Sequence, residues 1–84
     1  MKIQVTDEHI RKGHRADPKN DPVALALKDA GFGDVYVGVN EIRVRKIPFT
    51  GIWVSAPVPK LAFEFMLAFD NGQTVDPIEF ELVL

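Results

Sequence analysis

One stretch decides the fold: residues 21–46, DPVALALKDAGFGDVYVGVNEIRVRK, change from helical to extended periodicity within a single run. Asp21-Pro22 is typical of a helix start, because aspartate accepts first-turn N–H groups and proline lacks only an N–H that would stay unbonded there. Apolar residues then recur at helical spacing, and Gly31 ends the helix. The apolar face consists of Val23, Ala26, Leu27 and Ala30.

The second half of the stretch alternates apolar and polar residues and predicts a β-hairpin. With Asn40-Glu41 as a two-residue turn, Val39 pairs with Ile42, and both strands bury the same side. Glu41 is unfavourable at the second position of a type I′ turn, which leaves a longer loop open. The inward residues of the first strand are Val35, Val37 and Val39.

Upstream of this stretch the chain predicts a strand, a short helix and a loop. KIQVT, residues 2–6, alternates as a half-buried strand does. Thr6 then offers an N-cap to a helix that faces Ile10 inward and ends at Gly13. The polar residues 14–20 form the loop.

Downstream, the pattern is less regular until the last residues. GIWVS, residues 51–55, predicts a short strand, and Ser55 and Pro57 then start a third helix that Asn71-Gly72 closes. IEFELVL, residues 78–84, alternates cleanly and predicts a final strand. Its inward residues are Ile78, Phe80, Leu82 and Leu84.

The elements follow the order β-α-α-β-β-(β)-α-β, which predicts an α+β fold. We expect a mostly antiparallel sheet of four to five strands with three helices on one face. The 84 residues suit a single compact domain, residues 1–84. A hydrophobic content of 46% and a charged content of 26% are ordinary for a globular protein and exclude a disordered tail.

Composition also bears on location. The chain has no cysteine, which excludes disulfides and thiolate zinc sites and fits a reducing cytoplasm. The N-terminal MKIQVTDEHI lacks the apolar segment of a signal peptide, and no apolar run is long enough to cross a bilayer. We therefore expect a cytoplasmic protein that does not enter a membrane.

Residues suited to catalysis or metal binding are few. His9 and His14 are five apart with Gly13 between them, so they do not share one helix face and are expected to be surface or capping residues. Glu79 and Glu81 share the outer face of the final strand, where glutamates are usually solvated. We expect no catalytic residue, metal or cofactor; an enzyme stays an alternative that would need one of these pairs in a concave pocket.

A second alternative is nucleic-acid binding by the outer face of the hairpin. Tyr36 alternates outward from its valine neighbours, beside two outward arginines, and such a face can stack a base or hold phosphates. Glu79 and Glu81 are expected to neutralise this patch, and the net charge of −2 does not favour a polyanion. The residues of this alternative are Tyr36, Arg43, Arg45 and Lys46.

The third helix, in PKLAFEFMLAFDNG at residues 59–72, is apolar on nearly every side. Phe63 and Leu67 lie outside its predicted core face, on the side of the charged residues. We expect the alanines of the second helix or residues 47–53 to cover this pair; if exposed, it marks a partner or dimer surface. The predicted core face consists of Val58, Leu61, Ala62, Phe65, Met66, Ala68 and Phe69.

The runs VTDEHIRKG, DPVALALKDAGF, VYVG and FDNGQTVDPIEFEL give the chain a resemblance to a group of small uncharacterised proteins of phage and prophage genomes. The group pattern is HI-x-x-G, then C/D-P-V-A-L-A-L, V-x-V-G and FD-x-G, and it covers most of the chain. Relatives often carry cysteine where this chain has Asp21, so a thiol role in the group does not extend here.

The resemblance implies a small viral protein that binds a host or phage protein in the cytoplasm of a bacterial host, for example as an inhibitor of defence in the manner of anti-CRISPR proteins. Together with the surplus of apolar residues, it predicts a non-enzymatic interaction module with a protein partner; a homodimer is a second arrangement. The predicted partner-binding residues are Phe63, Leu67, Phe49 and Trp53.

Overall fold

The computed structural model describes residues 1–46 and 51–84, apart from the side chain of Lys46. Within these residues the chain forms five strands and three helices, in an order that agrees with the sequence prediction of an α+β fold. In chain order they are β1 (Lys2–Val5), α1 (Asp7–Lys12), α2 (Pro22–Asp29), β2 (Phe32–Val37), β3 (Glu41–Lys46), β4 (Val54–Pro57), α3 (Lys60–Asp70) and β5 (Ile78–Glu81).

The strands are antiparallel, but they form two sheets where the sequence predicted one. β1 pairs with β5, with Ile3 opposite Phe80, and β3 lies between β2 and β4 in a three-stranded sheet. Helix α2 packs against both β1 and β2, and α3 packs against β5 and α2. The helices therefore join two small sheets instead of covering one face of a larger sheet.

One cluster of buried apolar side chains connects both sheets with α2 and α3. Three α2 residues in this cluster, Val23, Ala24 and Leu27, have no exposed surface. Its cap is as predicted: the Asp21 carboxylate accepts the Ala24 N–H at 2.7 Å, and Pro22 occupies the first turn. Ala30 was predicted to be inward but is exposed, because it follows the last helical residue and lies beyond the packed face.

The hairpin differs from its predicted register by two residues. Ile42 pairs with Val37, and the turn is closed by the Gly38 N–H, which donates to the Glu41 carbonyl at 2.9 Å. Val39 is therefore at the tip of the turn and 70% exposed, not in the core. The longer loop left open by Glu41 is the one formed, and both strands still bury the same side.

The approach to α3 also differs from the prediction. The short strand expected at residues 51–55 is β4, Val54–Pro57, and Ser55 is part of it, opposite Arg43. Ser55 is therefore not a helix cap, and α3 begins after Pro59, without a side-chain cap. Prolines disfavour helical backbone at the residues before them, which delays the helix past Pro57 and Pro59.

Two leucines predicted to be inward are exposed. Leu61 is 48% exposed on α3, and Leu84 is 47% exposed beyond the end of β5. The rest of the predicted α3 core face is buried or half-buried. Among the described residues, no helix has the length and apolar character needed to cross a membrane.

Candidate functional site: an apolar cleft with an acidic end

A cleft of about 270 Å³ opens between the loop after α1, the β2–β3 turn and α3. It is mostly apolar, with carboxylates where the loop meets α2 and the end of α3. It is lined by Ala16, Asp17, Pro18, Asp21, residues 36–39, Phe63, Met66, Leu67 and Asp70. This set of residues is called the cleft below.

The α3 wall of the cleft contains the two residues that the sequence left unexplained. Phe63 is 37% exposed and Leu67 is 53% exposed, so the α2 alanines and residues 51–53 do not cover them; residues 47–50 of the expected cover lie outside the described residues. The α2 alanines do not reach them because Ala24 and Ala26 are buried in the core. Val39 adds a third exposed apolar side chain from the turn opposite.

Hydrogen bonds tie the loop wall to the other two walls. The Val37 N–H donates to the Pro18 carbonyl at 2.8 Å, and the Ala16 N–H donates to the Asp70 carboxylate at 2.9 Å. Ala16 has a φ of 53°, and no other non-glycine residue in the described part of the chain has a positive φ. Such backbone persists where surrounding contacts impose it, which is common at functional sites.

Three carboxylates line the acidic end: Asp17, Asp21 and Asp70. Each accepts at least one backbone N–H: Asp17 from Lys19, Asp21 from Ala24 and Asp70 from Ala16. Within the part of the chain that the structure describes, none of the three has a lysine, arginine or histidine nitrogen within 4 Å. The cleft therefore combines exposed apolar surface with negative charge that has no ion-pair partner.

The three carboxylates do not share one environment. Burial raises the pKa of the Asp21 carboxyl to about 6; the Ala24 N–H opposes the rise and the nearby Asp70 carboxylate adds to it. The backbone N–H of Lys19, followed by the Asn20 side chain, holds the pKa of Asp17 below its ordinary value. At neutral pH Asp21 is thus mostly ionised, at a cost that its surroundings do not fully offset.

Three of the nucleic-acid candidates, Tyr36, Arg43 and Arg45, lie together on the outer face of the β2–β3–β4 sheet, as predicted. The Arg43 guanidinium lies 4.6 Å from the centre of the Tyr36 ring, directly across the strand pair. Arg43 also pairs with Glu41 at 3.4 Å, and Arg45 forms an ion pair with Asp34. Each arginine thus has both an aromatic and an acidic neighbour within the chain.

The acids that neutralise this face are not the ones that the sequence suggested. Glu79 and Glu81 belong to β5, in the other sheet. Glu79 accepts the Gln4 side-chain amide at 2.9 Å, and Glu81 accepts the N-terminal ammonium group at 2.8 Å, which holds the pKa of Glu81 below its ordinary value. The two glutamates are exposed and lie outside the cleft.

The remaining predicted partner-binding residues do not join Phe63 and Leu67. Trp53 is 44% exposed and does not line the cleft. The Arg45 guanidinium carbon lies over the Trp53 ring, 5.1 Å from the ring centre. Phe49 lies outside the described residues, as does the side chain of Lys46. Of the described candidates, Tyr36 alone both lines the cleft and contacts the sheet arginines.

His9 is a structural residue between α1 and α2. Its Nδ1 accepts the Thr6 N–H at 3.0 Å, so Nε2 carries the proton and donates it to Asp29 at 2.5 Å. The capping role was among the sequence expectations, whereas the burial was not. His14 is exposed, and no three His, Cys, Asp or Glu residues of the described ranges are placed to hold a metal ion.

Sequence reasoning missed the acidic end of the cleft. The sequence identified Asp21 as a cap but not as a buried charge, and it placed Asp17 in a polar loop without predicting the structure of that loop. One signal was present: Asp70 lies in the last turn of α3, where a negative charge opposes the helix dipole. A carboxylate at that position is better explained by contacts outside its own helix.

Comparisons with known proteins do not add to this picture. No protein-family model matches the chain, and neither the curated proteins nor the solved structures contain a significant match.

Proposed function

We propose that this chain is a small non-enzymatic protein-binding module that holds a segment of a partner protein in the cleft. One observation carries the proposal: Phe63 and Leu67 are exposed on one side of α3 and line the cleft together. Val39 extends the same apolar surface from the opposite turn. Binding a partner that removes such apolar surface from water is energetically favourable.

The size of the cleft favours side chains of a partner over a separate small molecule. Its volume of about 270 Å³ lies below the roughly 300–1,000 Å³ typical of drug-sized ligands. A space of that size accommodates one or two side chains of a protein segment. A few such inserted side chains often supply most of the binding free energy of an interface.

The chemistry of the lining supports a binding role over a catalytic one. Among the described residues of the cleft there is no histidine, serine or threonine. The raised pKa of Asp21 would suit a general base, but its carboxylate already accepts the Ala24 N–H and the residue is 6% exposed. A substrate would therefore have poor access to the most perturbed acid.

The resemblance to phage and prophage proteins suggests the biological setting. We propose that the partner is a host or defence protein and that this chain inhibits it in the bacterial cytoplasm, as an anti-CRISPR-like factor. The support is the shared sequence pattern, together with the exposed apolar side chains of Phe63 and Leu67 on the α3 wall of the cleft.

The test compares two exposed leucines of α3. Leu67 lines the cleft and is 53% exposed, whereas Leu61 is 48% exposed and lies outside it. Affinity capture from bacterial lysates should recover the same partner with wild type and Leu61→Ser, and lose it with Leu67→Ser. For a purified partner we expect an affinity loss of about 30-fold or more for Leu67→Ser, the scale of a hot-spot residue.

The same variants separate the other outcomes. If Leu67→Ser and Leu61→Ser weaken capture equally, the cleft is not the binding surface and the proposal is wrong. If light scattering shows a wild-type dimer that Leu67→Ser converts to a monomer, a second copy of the chain occupies the cleft instead. An activity that persists in Leu67→Ser but is lost in Asp21→Asn would support an enzyme.

A further inference from the structure

We propose that the partner segment in the cleft carries a lysine or arginine beside an apolar side chain. The apolar side chain packs between Leu67, Phe63 and Val39, and the cation reaches the carboxylates at the acidic end. This inference rests on the proposed function, because it specifies the chemistry of the partner that the cleft holds.

Charge complementarity is the first argument. Three carboxylates line one small cleft, and no cationic side chain of the described residues lies within 4 Å of any of them. By contrast, Arg43, Arg45 and Lys12 each have a carboxylate within that distance. Of the three cleft carboxylates, Asp21 is buried, but Asp17 is half-buried and Asp70 is exposed, so these two are accessible to a cation from outside.

The positions of the acids favour a side-chain cation over a metal ion. Asp17, Asp21 and Asp70 are not grouped closely enough to form a metal site among the described residues. Each also accepts a backbone N–H, which uses part of its capacity to coordinate. A lysine or arginine has several donors on a long stem and can serve acids that do not converge on a point.

A second copy of the chain fits the acidic end poorly. A twofold dimer through the cleft would place the same surface on both subunits, because such interfaces are isologous. The Asp17 and Asp70 carboxylates of both copies would then lie in one interface, and concentrating like charges there disfavours association. The occupant is therefore a different protein with complementary charge.

The apolar half of the cleft defines the rest of the occupant. Met66 is nearly buried at the lining, while Leu67 and Val39 are more than half exposed at the rim. An aliphatic or aromatic side chain between them removes apolar surface from water on both partners. The burial that raises the pKa of Asp21 is consistent with this assignment, because a nearby cation offsets the cost of the buried charge.

The experiment selects peptides and then removes single charges. A displayed library of random nine-residue peptides is selected against the full chain, and the enriched peptides are synthesised with and without Lys→Gln or Arg→Gln changes. The protein variants are Asp70→Asn, which keeps an acceptor for the Ala16 N–H, and Glu64→Gln. Glu64 is the matched control, because it is an exposed acid of the same helix that does not line the cleft.

We expect enriched peptides to contain a basic residue next to a bulky apolar one. Asp70→Asn should weaken their binding by about tenfold and Glu64→Gln by less than about twofold, since only the former removes an interacting charge. On the Gln-substituted peptides the Asp70→Asn effect should disappear, which shows direct coupling of the two charges. In NMR titrations the Gly38 amide should shift and the single Trp53 indole should not.

Three results would overturn the inference in different ways. Peptides that lack a basic preference but need Leu67 overturn the inference and leave the proposed function in place. Peptides that bind equally well to Leu67→Ser overturn both. An absence of enriched peptides also overturns the inference, and the proposed function is then decided by the comparison of Leu67→Ser with Leu61→Ser.

Discussion

The cleft and the outer face of the three-stranded sheet both combine charged and aromatic side chains, but they differ in how those groups are satisfied. On the sheet face each arginine has a carboxylate and an aromatic ring beside it. In the cleft, no cationic group of the described residues lies within 4 Å of the carboxylates, and Phe63 and Leu67 on the apolar wall are exposed. The difference teaches that Arg43 and Arg45 find their partners within the chain, whereas the cleft is the surface for which we propose an external partner.

The largest effect is expected at Asp21, where the cleft retains a buried charge. Asp21→Asn keeps an N-cap side chain, because asparagine caps about as well as aspartate. At pH 7 the variant should be more stable than wild type by up to about 3 kcal/mol, the free energy that corresponds to a pKa raised from 3.8 to about 6. Urea unfolding at several pH values measures this difference.

The sign of the pH dependence follows from the raised pKa. In wild type the folded protein binds the Asp21 proton more tightly than the unfolded chain does. This proton binding therefore adds fully to the free energy of unfolding below pH 3.8, and its contribution is lost as the pH rises from 3.8 through about 6. The gain in unfolding free energy of Asp21→Asn over wild type should therefore be near zero at pH 4 and reach its full size above pH 7. An advantage that does not vary with pH would show that Asp21 carries no unfavourable buried charge.

On the sheet face, the corresponding change should destabilise the protein. Arg45→Met keeps much of the side-chain length but removes the ion pair with Asp34 and the cation over Trp53. We expect a loss of about 1 kcal/mol in unfolding free energy, which is the sum expected for a partly exposed ion pair and a cation–π contact. Denaturant unfolding followed by Trp53 fluorescence reports it directly.

Arg11→Met is a suitable control for Arg45→Met, because Arg11 is exposed on α1 and forms no ion pair among the described residues. It should change stability by less than about 0.5 kcal/mol. High salt should reduce part of the Arg45→Met effect, since salt screens exposed ion pairs. An Arg45→Met protein as stable as wild type would mean that the contacts of Arg45 with Asp34 and Trp53 do not stabilise the sheet face.

The two regions also differ in how far the sequence could predict them. Alternation within β2 and β3 is a local property, and it placed Tyr36, Arg43 and Arg45 on one face even though the turn was misjudged. A register shift of two residues keeps every side chain on its original side of the strand. The outer sheet face was therefore predictable despite the error.

The cleft depends on contacts between distant segments, which periodicity does not encode. Asp70 meets Ala16 across 54 positions of the chain, and the exposure of Val39 depends on where the turn closes. The pattern did identify Phe63 and Leu67 as residues without a place in the helix core. It could not show that the two sheets are separate, because strand pairing between chain ends leaves no local signal.

A smaller change in unfolding free energy is expected at Leu67, and it tests whether the apolar α3 wall of the cleft contributes to folding. Leu67 and Met66 are neighbours on α3, but Leu67 is 53% exposed and Met66 is 9% exposed. Leu67→Gln should change the unfolding free energy by less than about 0.5 kcal/mol, whereas Met66→Gln should cost several times more, because it buries a polar amide. Equal losses in thermal unfolding would make Leu67 a core residue and remove the reason for a partner.

The smallest effect is expected for nucleic-acid binding by the sheet face. Phosphates would have to displace Glu41 and Asp34 from the arginines, and bases would have to displace the guanidinium groups from the aromatic rings. We therefore expect no more than weak binding of single-stranded DNA or RNA oligonucleotides, and no change in Arg43→Glu plus Arg45→Glu. Fluorescence anisotropy across a salt series decides the matter, because binding through phosphates falls steeply with salt. Salt-dependent affinity that disappears in the double variant would show that the sheet face is the open surface and would reverse the comparison with the cleft.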